Sequence, residues 1–337
     1  MTTESGLNLC FVGYGAIAGV HADICRRLGH RLHTVVGRVP ETTESFARHY
    51  GFAHSTLNLE QALTQPEIDA VLICSPSELH ECQAREVIEA GKPVLVELPL
   101  AMSYAGGSAL AELSGRRGVT VMVAHTQRYM PAVRAVRDEV AAGHLHVHHV
   151  LARFLFFRRR HVGWSGRVRS WADNLLWHHS CHMIDTCLWV LGMPVVDQLT
   201  VQGRIGPLYA ATGIPMDLDI GIATSAGTLV NIGMSYHSED TGLDFLIVGE
   251  ERTLHIAGRA LLHRSTMLYD PAAHHEYIAN ELQDREFFAA VTEGRQPEVN
   301  AFDVLPSLAV LQQVQDQNPS LPRHVTAPSE SESSAES

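Results

Sequence analysis

Residues 7–12 form a short, almost wholly apolar run that breaks at Gly13-Tyr14-Gly15-Ala16-Ile17-Ala18. A helical pattern over residues 16–28 follows and closes at Gly29. Strand, GxGxxA turn and helix in that order constrain the fold more than any other feature of the chain. Gly13 permits the tight turn, and Gly15 lets backbone N–H groups approach a pyrophosphate. Ala18 lets the helix lie close to its strand, and the helix directs its positive end at the phosphates through the N–H groups around Ala16 and Ile17. The pattern predicts a dinucleotide site built from Gly13, Gly15, Ala16 and Ile17.

The same rhythm continues. Strand-like runs at 32–36, 70–74, 94–96 and 119–124 alternate with helical patterns at 43–50, 79–90 and 103–115. Such alternation predicts a doubly wound parallel sheet with right-handed crossovers. Beyond His125 the order changes to a helix at 131–142, a long strand at 145–157, an arginine-rich loop and a helix at 175–191. Strand-like runs near 195–203, 217–224, 228–236 and 243–256 then follow without helices between them, which predicts an open, mostly antiparallel sheet. Helical patterns at 281–293 and 302–315 close the chain. With 337 residues, two domains are expected: a Rossmann domain over 1–124 and an α/β substrate and oligomerisation domain over 125–326. The Ser/Glu-rich stretch 327–337 has no hydrophobic anchor and is expected to be a disordered tail.

The end of the second strand bears on the cofactor. NAD sites commonly carry an Asp or Glu there for the ribose hydroxyls; this chain has Val36-Gly37-Arg38. A guanidinium can pair with a 2′-phosphate and stack on adenine, which favours NADP(H). An NAD site relying on backbone contacts is the alternative. Cys74-Ser75-Pro76 stands at the carboxyl edge of the third strand, His80 opens the following helix, and Glu97 lies at the matching end of the fourth. Their shared edge makes them candidates for the nicotinamide-ribose half of the nucleotide.

The densest chemistry is Trp177-His178-His179-Ser180-Cys181-His182-Met183-Ile184-Asp185. On a helix His178 and His182 share a face, with Asp185 near enough to fix an imidazole tautomer. Oxidation of an alcohol needs a base that takes the hydroxyl proton as hydride leaves, and histidine suits that task. Neither an HExxH carboxylate nor a cysteine cluster completes a zinc set, so no metal is expected. His179 points elsewhere on the helix, and His144, His146 and His148 alternate along a strand as a half-exposed face.

Lys and Arg number 25 against 37 Asp and Glu, for a net charge of −12. That balance excludes nucleic acid as a partner, because phosphate binding needs a basic face. The exception is the cluster Arg158 to Arg160 with Arg167 and Arg169, which suits a small anionic ligand. Six cysteines without a CxxC pair predict reduced thiols. The N-terminal apolar run lacks a basic flank and no segment reaches 18 apolar residues, so a cytoplasmic protein without membrane contact is expected.

With these residues in place, the chain resembles the Gfo/Idh/MocA oxidoreductases over residues 6–316. The resemblance implies a Rossmann domain, an open α/β domain whose sheet mediates homodimers or homotetramers, and hydride transfer with a nicotinamide nucleotide. It also implies a catalytic lysine in a Glu-Lys-Pro and a catalytic histidine in an Asp-x-x-x-His. This chain departs at both motifs, with Glu97-Leu98-Pro99 at the first and His178 ahead of His182 at the second. Phe156-Phe157-Arg158-Arg159, Arg169-Ser170-Trp171 and Leu175-Leu176-Trp177-His178-His179 are similar to one branch of that family, as is Gln283-Asp284-Arg285-Glu286-Phe287-Phe288. The branch likeness implies oxidation of the cyclic hemiacetal of a carboxylated muconate semialdehyde. Arg158, Arg159, Arg169 and Trp171 would then meet the substrate, with Asp185 beside them. An NAD(P)-dependent sugar or cyclitol dehydrogenase is the alternative enzyme, and a cofactor-binding redox sensor the non-enzymatic one.

Overall fold

A computed structural model describes residues 6–158 and 175–321. The first unit is built from β1 (Asn8–Val12), α1 (Ala16–Arg27), β2 (Arg31–Val36), α2 (Pro40–Tyr50), β3 (His54–Thr56), α3 (Leu59–Leu63), β4 (Ala70–Ile73), α4 (His80–Glu89), β5 (Val94–Val96), α5 (Tyr104–Arg117) and β6 (Val121–Val123). All its strands are parallel, in the order β3-β2-β1-β4-β5-β6. The order reverses between β1 and β4, and the crevice at the carboxyl ends of those strands is where such sheets bind ligands. β4, β5 and β6 are buried along their whole length, as strands covered by helices on both faces must be. Ser103 caps α5 by accepting from Gly106 N–H, and Gly118 ends that helix in the left-handed conformation. The short pair β3 and α3 has no counterpart in the sequence reading. His54-Ser55-Thr56 is polar and half-exposed at the sheet edge, so it carries no apolar periodicity.

The second unit contains α6 (Pro131–Ala141), β7 (Val147–Phe157), α7 (Ser180–Val190), β8 (Leu199–Ile205), β9 (Leu208–Tyr209), β10 (Ile214–Pro215), β11 (Asp217–Thr224), β12 (Leu229–Ser235), β13 (His237–Gly249), β14 (Thr253–Ala257), β15 (Ala260–His263) and β16 (Thr266–Tyr269). Its eight-stranded sheet runs β16-β15-β14-β13-β7-β12-β11-β8, antiparallel everywhere except at the β7–β12 pair. Alternate residues enter the core: Val150 and Ala152 on β7, Ile220 and Ile222 on β11, Val230 and Ile232 on β12, Phe245 and Ile247 on β13. The apolar helix α7 lies against β7 and β12. The run expected as one strand over 243–256 is a hairpin of β13 and β14, turning where Gly249 N–H reaches Arg252 O.

The chain then re-enters the first unit. α8 (Ile278–Glu293) packs against α1, with the Phe288 ring 4.0 Å from His30, before α9 (Leu305–Gln317) rejoins the second unit. A single boundary at 124/125 therefore does not describe the chain. Residues up to Thr126 cluster with Tyr277–Leu305, and Gln127–Glu276 clusters with the residues from Pro306 onward. Helical periodicity reveals that a helix has a buried face but not which core receives it. The stretch 327–337 lies outside the described residues. No helix among the described residues is long and apolar enough to cross a membrane.

Candidate active site

In the first unit the glycine turn is held by sterics. Gly13 has φ +105, and a Cβ there would lie 2.6 Å from the Cys74 carbonyl oxygen, so only glycine lets the turn close on the end of β4. Gly15 caps α1 with extended backbone, without a side-chain cap and without an acid in the first turn. A Cβ on Gly15 would meet only Cys74 O, at 3.9 Å. An uncapped helix end facing open space, with no carboxylate competing, fits a pyrophosphate on the N–H groups of Ala16 and Ile17. Arg38 is exposed just past β2 and makes no hydrogen bond or ion pair with any described residue. Ser75 Oγ donates to Gln83 Oε1 at 2.5 Å, and Pro76 is the half-buried residue beside it.

Two expected nucleotide contacts are placed differently by the structure. His80 is buried, with Nδ1 2.8 Å from Pro99 O and Nε2 2.9 Å from Ser75 O. Both ring nitrogens face backbone carbonyls, so His80 braces the loop after β4 against the loop after β5 instead of reaching for a nucleotide. Cys74 is 6 % exposed, and its thiol is pushed well above its ordinary value by burial, then by the charges of Glu97 and Asp284. Its carbonyl, not its sulfur, faces the glycine turn. Glu97 keeps an outlet: its side chain is 16 % exposed, while Oε1 lies 2.9 Å from Nε2 of the buried His21. The other ring nitrogen, Nδ1, is 2.7 Å from Asp284 Oδ2 on α8.

In the second unit a single π-helical turn, Leu175–His179, runs straight into α7. Trp177 anchors it from within by donating Nε1–H to Gln315 Oε1 of α9 at 2.9 Å. Such turns inside helices gather at functional sites. The anchored turn presents three half-buried imidazoles. The His178 and His182 ring centroids are 6.3 Å apart and nearly perpendicular, with His179 edge-on to His178 at 4.6 Å. His179, expected to point elsewhere on the helix, lies in the same patch: it stacks on Phe154 at 4.7 Å, and its Nδ1 meets the Tyr236 hydroxyl. The guanidinium of Arg158 sits 5.3 Å over the Tyr236 ring and is 3 % exposed. Imidazoles, phenol, phenylalanines and guanidinium thus converge on one patch at the end of β7. Arg159, Arg169 and Trp171 lie outside the described residues.

Among the described residues, Asp185 is held away from that patch by Arg128 and Ser307. It takes Arg128 Nε at 2.7 Å, Arg128 Nη2 at 2.6 Å and the Ser307 hydroxyl at 2.8 Å, all in the core of this unit. A buried guanidinium needs a carboxylate in just this forked geometry, and that need overrides the helical spacing that pointed Asp185 at an imidazole. Away from the patch, His146 pairs with Glu251 and His148 with Glu250 at the surface. No group of three or more metal-ligating side chains is assembled among the described residues.

Two family models match: the NAD-binding Rossmann fold of the Gfo/Idh/MocA oxidoreductases over residues 7–125, and the bacterial oxidoreductase C-terminal domain over residues 131–263. A 4-carboxy-2-hydroxymuconate-6-semialdehyde dehydrogenase from a Sphingobium species is 30% identical over 92% of this chain and 98% of its own length. The chain belongs to the Gfo/Idh/MocA oxidoreductase family. It is an NAD(P)-dependent oxidoreductase. An inositol 2-dehydrogenase from Acidothermus cellulolyticus is 26% identical over 76% of this chain and 74% of its own. Among solved structures, GenD2 from gentamicin A biosynthesis in complex with NAD matches with TM-score 0.79 at 23% identity, covering 98% of both chains. A levoglucosan dehydrogenase complex with NADH and L-sorbose matches with TM-score 0.82 at 17% identity, over 96% of this chain and 99% of that one.

Against the Gfo/Idh/MocA pattern, the lysine position holds Leu98, 2 % exposed and packed in the core, so no ammonium stands there. Sequence reasoning missed His21, Asp284, Tyr236 and Arg128. One signal was available for Asp284: it shares a helix face with Phe287 and Phe288, three and four residues on, and both rings are buried. A carboxylate on a buried face implies a partner, and His21, on the glycine-turn helix, is that partner.

Proposed function

We propose that this oxidoreductase uses NADP⁺ to oxidise the cyclic hemiacetal of 4-carboxy-2-hydroxymuconate-6-semialdehyde, or a close carboxylated analogue, to a 2-pyrone lactone. The observation that carries the substrate class is the patch at the end of β7, where the Arg158 guanidinium stands among imidazoles and aromatic rings. A planar fork of N–H donors beside flat rings matches a carboxylate on an unsaturated ring better than it matches an uncharged polyol. Likeness over 92% of the chain to the Sphingobium dehydrogenase supports the same substrate.

His182 takes the hemiacetal hydroxyl proton, and His178 orients the oxygen. A nicotinamide nucleotide, when bound, would supply the two-electron hydride acceptor for the C–H bond of the same carbon, which becomes the lactone carbonyl. A hemiacetal hydroxyl is more acidic than a simple alcohol, so an imidazole suffices where Leu98 leaves no lysine. Gly13, Gly15, Ala16 and Ile17 would hold the nucleotide's pyrophosphate, Glu97 would accept from its nicotinamide ribose, and Arg38 would meet the 2′-phosphate.

The substrate test is a panel of the muconate semialdehyde, myo-inositol, levoglucosan and glucose, read by the absorbance of reduced nicotinamide. Turnover of the semialdehyde at least a hundredfold above the others, about 2.7 kcal/mol of discrimination, is expected. A preference for a polyol would replace this reading with that of a sugar or cyclitol dehydrogenase, and no turnover of any hydroxyl substrate would favour a redox sensor. For the cofactor, Arg38→Ala is expected to raise the NADP⁺ dissociation constant about tenfold, the worth of one charge-assisted contact, and to leave NAD⁺ within about twofold. Equal losses for both nucleotides in a binding titration would remove Arg38 from the 2′-phosphate.

A further inference from the structure

His21 is wholly buried on α1 and meets a carboxylate at each ring nitrogen, Asp284 Oδ2 at 2.7 Å and Glu97 Oε1 at 2.9 Å. Three separate elements converge here: the helix that follows the glycine turn, the loop after β5 and the returning helix α8. Behind Asp284 the hydrogen-bond line continues, with Gln283 Nε2 donating to Asp284 Oδ1 at 3.3 Å and Thr126 donating to Gln283 Oε1 at 2.8 Å. Asp284 and Gln283 are both fully buried, Thr126 is half-buried, and the Glu97 side chain is 16 % exposed. So the line passes through the buried Gln283, Asp284 and His21 to Glu97 at the carboxyl end of the sheet.

We propose that His21 and Asp284 are positioning residues for Glu97, the imidazole gripping one carboxylate oxygen so that the other is presented at the sheet edge as a fixed acceptor for the ribose hydroxyls of the nicotinamide nucleotide. The inference rests on the reading that Glu97 meets the nucleotide. Preorganisation is the physical gain: a glutamate free to turn about three side-chain bonds must be ordered when the ligand arrives, and this one is ordered beforehand. With Asp284 and Glu97 both ionised, His21 donates to the two carboxylates only when its ring is doubly protonated. Burial by itself pulls the His21 pKa down, but Asp284 and then Glu97 outweigh it by charge and hydrogen bond, and the group is brought up to about 10. Burial pushes the Asp284 carboxyl up at the same time, against the charge and hydrogen bond of the His21 ring, which pull it down. In the arrangement we propose, the shared proton sits on the ring, where it donates to both carboxylates. The other titratable groups facing this cluster are the thiols of Cys25 and Cys74, both raised by burial and hence neutral.

The folded-state value lies above the ordinary 6.5. The stabilisation from this pairing is therefore complete below pH 6.5 and is lost as the pH climbs toward about 10.

Four measurements on the full chain test the proposal. In nitrogen-15 spectra of the histidines, the resonance that disappears in His21→Gln should show a doubly protonated ring at pH 8, and a neutral tautomer there would overturn it. The NADP⁺ dissociation constant, by calorimetry, should rise about tenfold in His21→Gln, which removes one charge-assisted bond to Glu97, and about tenfold in Glu97→Gln. Loss in Glu97→Gln with His21→Gln unchanged overturns the positioning role and spares the Glu97 reading; no loss in Glu97→Gln overturns both. Wild-type affinity should also fall between pH 8 and 10 while the Glu97→Gln affinity stays flat, a readout that needs no folded His21 variant. A wild-type profile as flat as that of Glu97→Gln overturns the proposal. Asp284→Asn, which keeps the shape and removes the charge, should move the His21 titration down, and an unmoved titration counts against the pairing.

Discussion

Replacing His182 with alanine lowers kcat by about two to four orders of magnitude, the usual worth of a positioned general base. The argument for this size begins with what is missing. At the lysine position of the family motif this chain buries Leu98 in the core, so no ammonium there can share the proton transfer. The imidazoles remain, and of these His179 is engaged with the Tyr236 hydroxyl and stacked on Phe154. His178 and His182, 6.3 Å apart across perpendicular rings, are the pair we propose to meet the substrate oxygen. His178→Ala should cost less than His182→Ala, because orienting an oxygen is worth less than removing its proton. NADP⁺ affinity in His182→Ala should stay within about threefold of wild type, which separates a chemical defect from a folding one. Turnover of His182→Ala within threefold of wild type would remove it as the base.

The parallel half of the fold was legible because its signals are local. Each of the strands β1, β2, β4, β5 and β6 is a short apolar run ended by a turn residue, and the helices between them close at Gly29, Gly51, Gly91 and Gly118, all of positive φ. What failed was either too short or too polar to carry a period, as with β3, or depended on which core received an element, as with α8. No spacing rule tells a chain to leave one unit for 150 residues (Gln127–Glu276) and come back.

The site divides along the same line. The glycine turn was legible because Gly13 and Gly15 stand in one strand-to-helix segment, and the imidazole pair because four residues of helix bring two side chains to one face. Partnerships across long separations were not. His80 was read from its position at a helix start, yet its ring is claimed by carbonyls of Ser75 and Pro99. His21 and Asp284 are 263 residues apart, and nothing in either neighbourhood names the other. The error at Asp185 is of the same kind, since its spacing from His182 was real but Arg128, 57 residues earlier, outcompetes it.

That last contact predicts a large stability effect. Asp185→Ala is expected to destabilise the chain by about 3–5 kcal/mol, because it strands a guanidinium in the core without its carboxylate. Arg128 is 2% exposed and Asp185 1%, so solvent offers the stranded charge no relief. The Ser307 hydroxyl bonds the aspartate, and so does nothing to replace it. In a thermal melt the loss should appear as a drop of roughly 6–20 °C. Removing the charge along with its partner should restore most of it: the double variant Arg128→Met, Asp185→Leu fills the space with apolar volume, and buried ion pairs exchanged in this way are commonly neutral in stability or better. The two roles considered for Asp185 part cleanly in this experiment. Were it a tautomer-fixing or substrate-binding residue, Asp185→Ala would melt near wild type and lose activity alone, and the double variant would rescue nothing. As the counter-charge of Arg128, it governs whether α7 holds its place, and activity should return with stability in the double variant because His182 rides on that same helix.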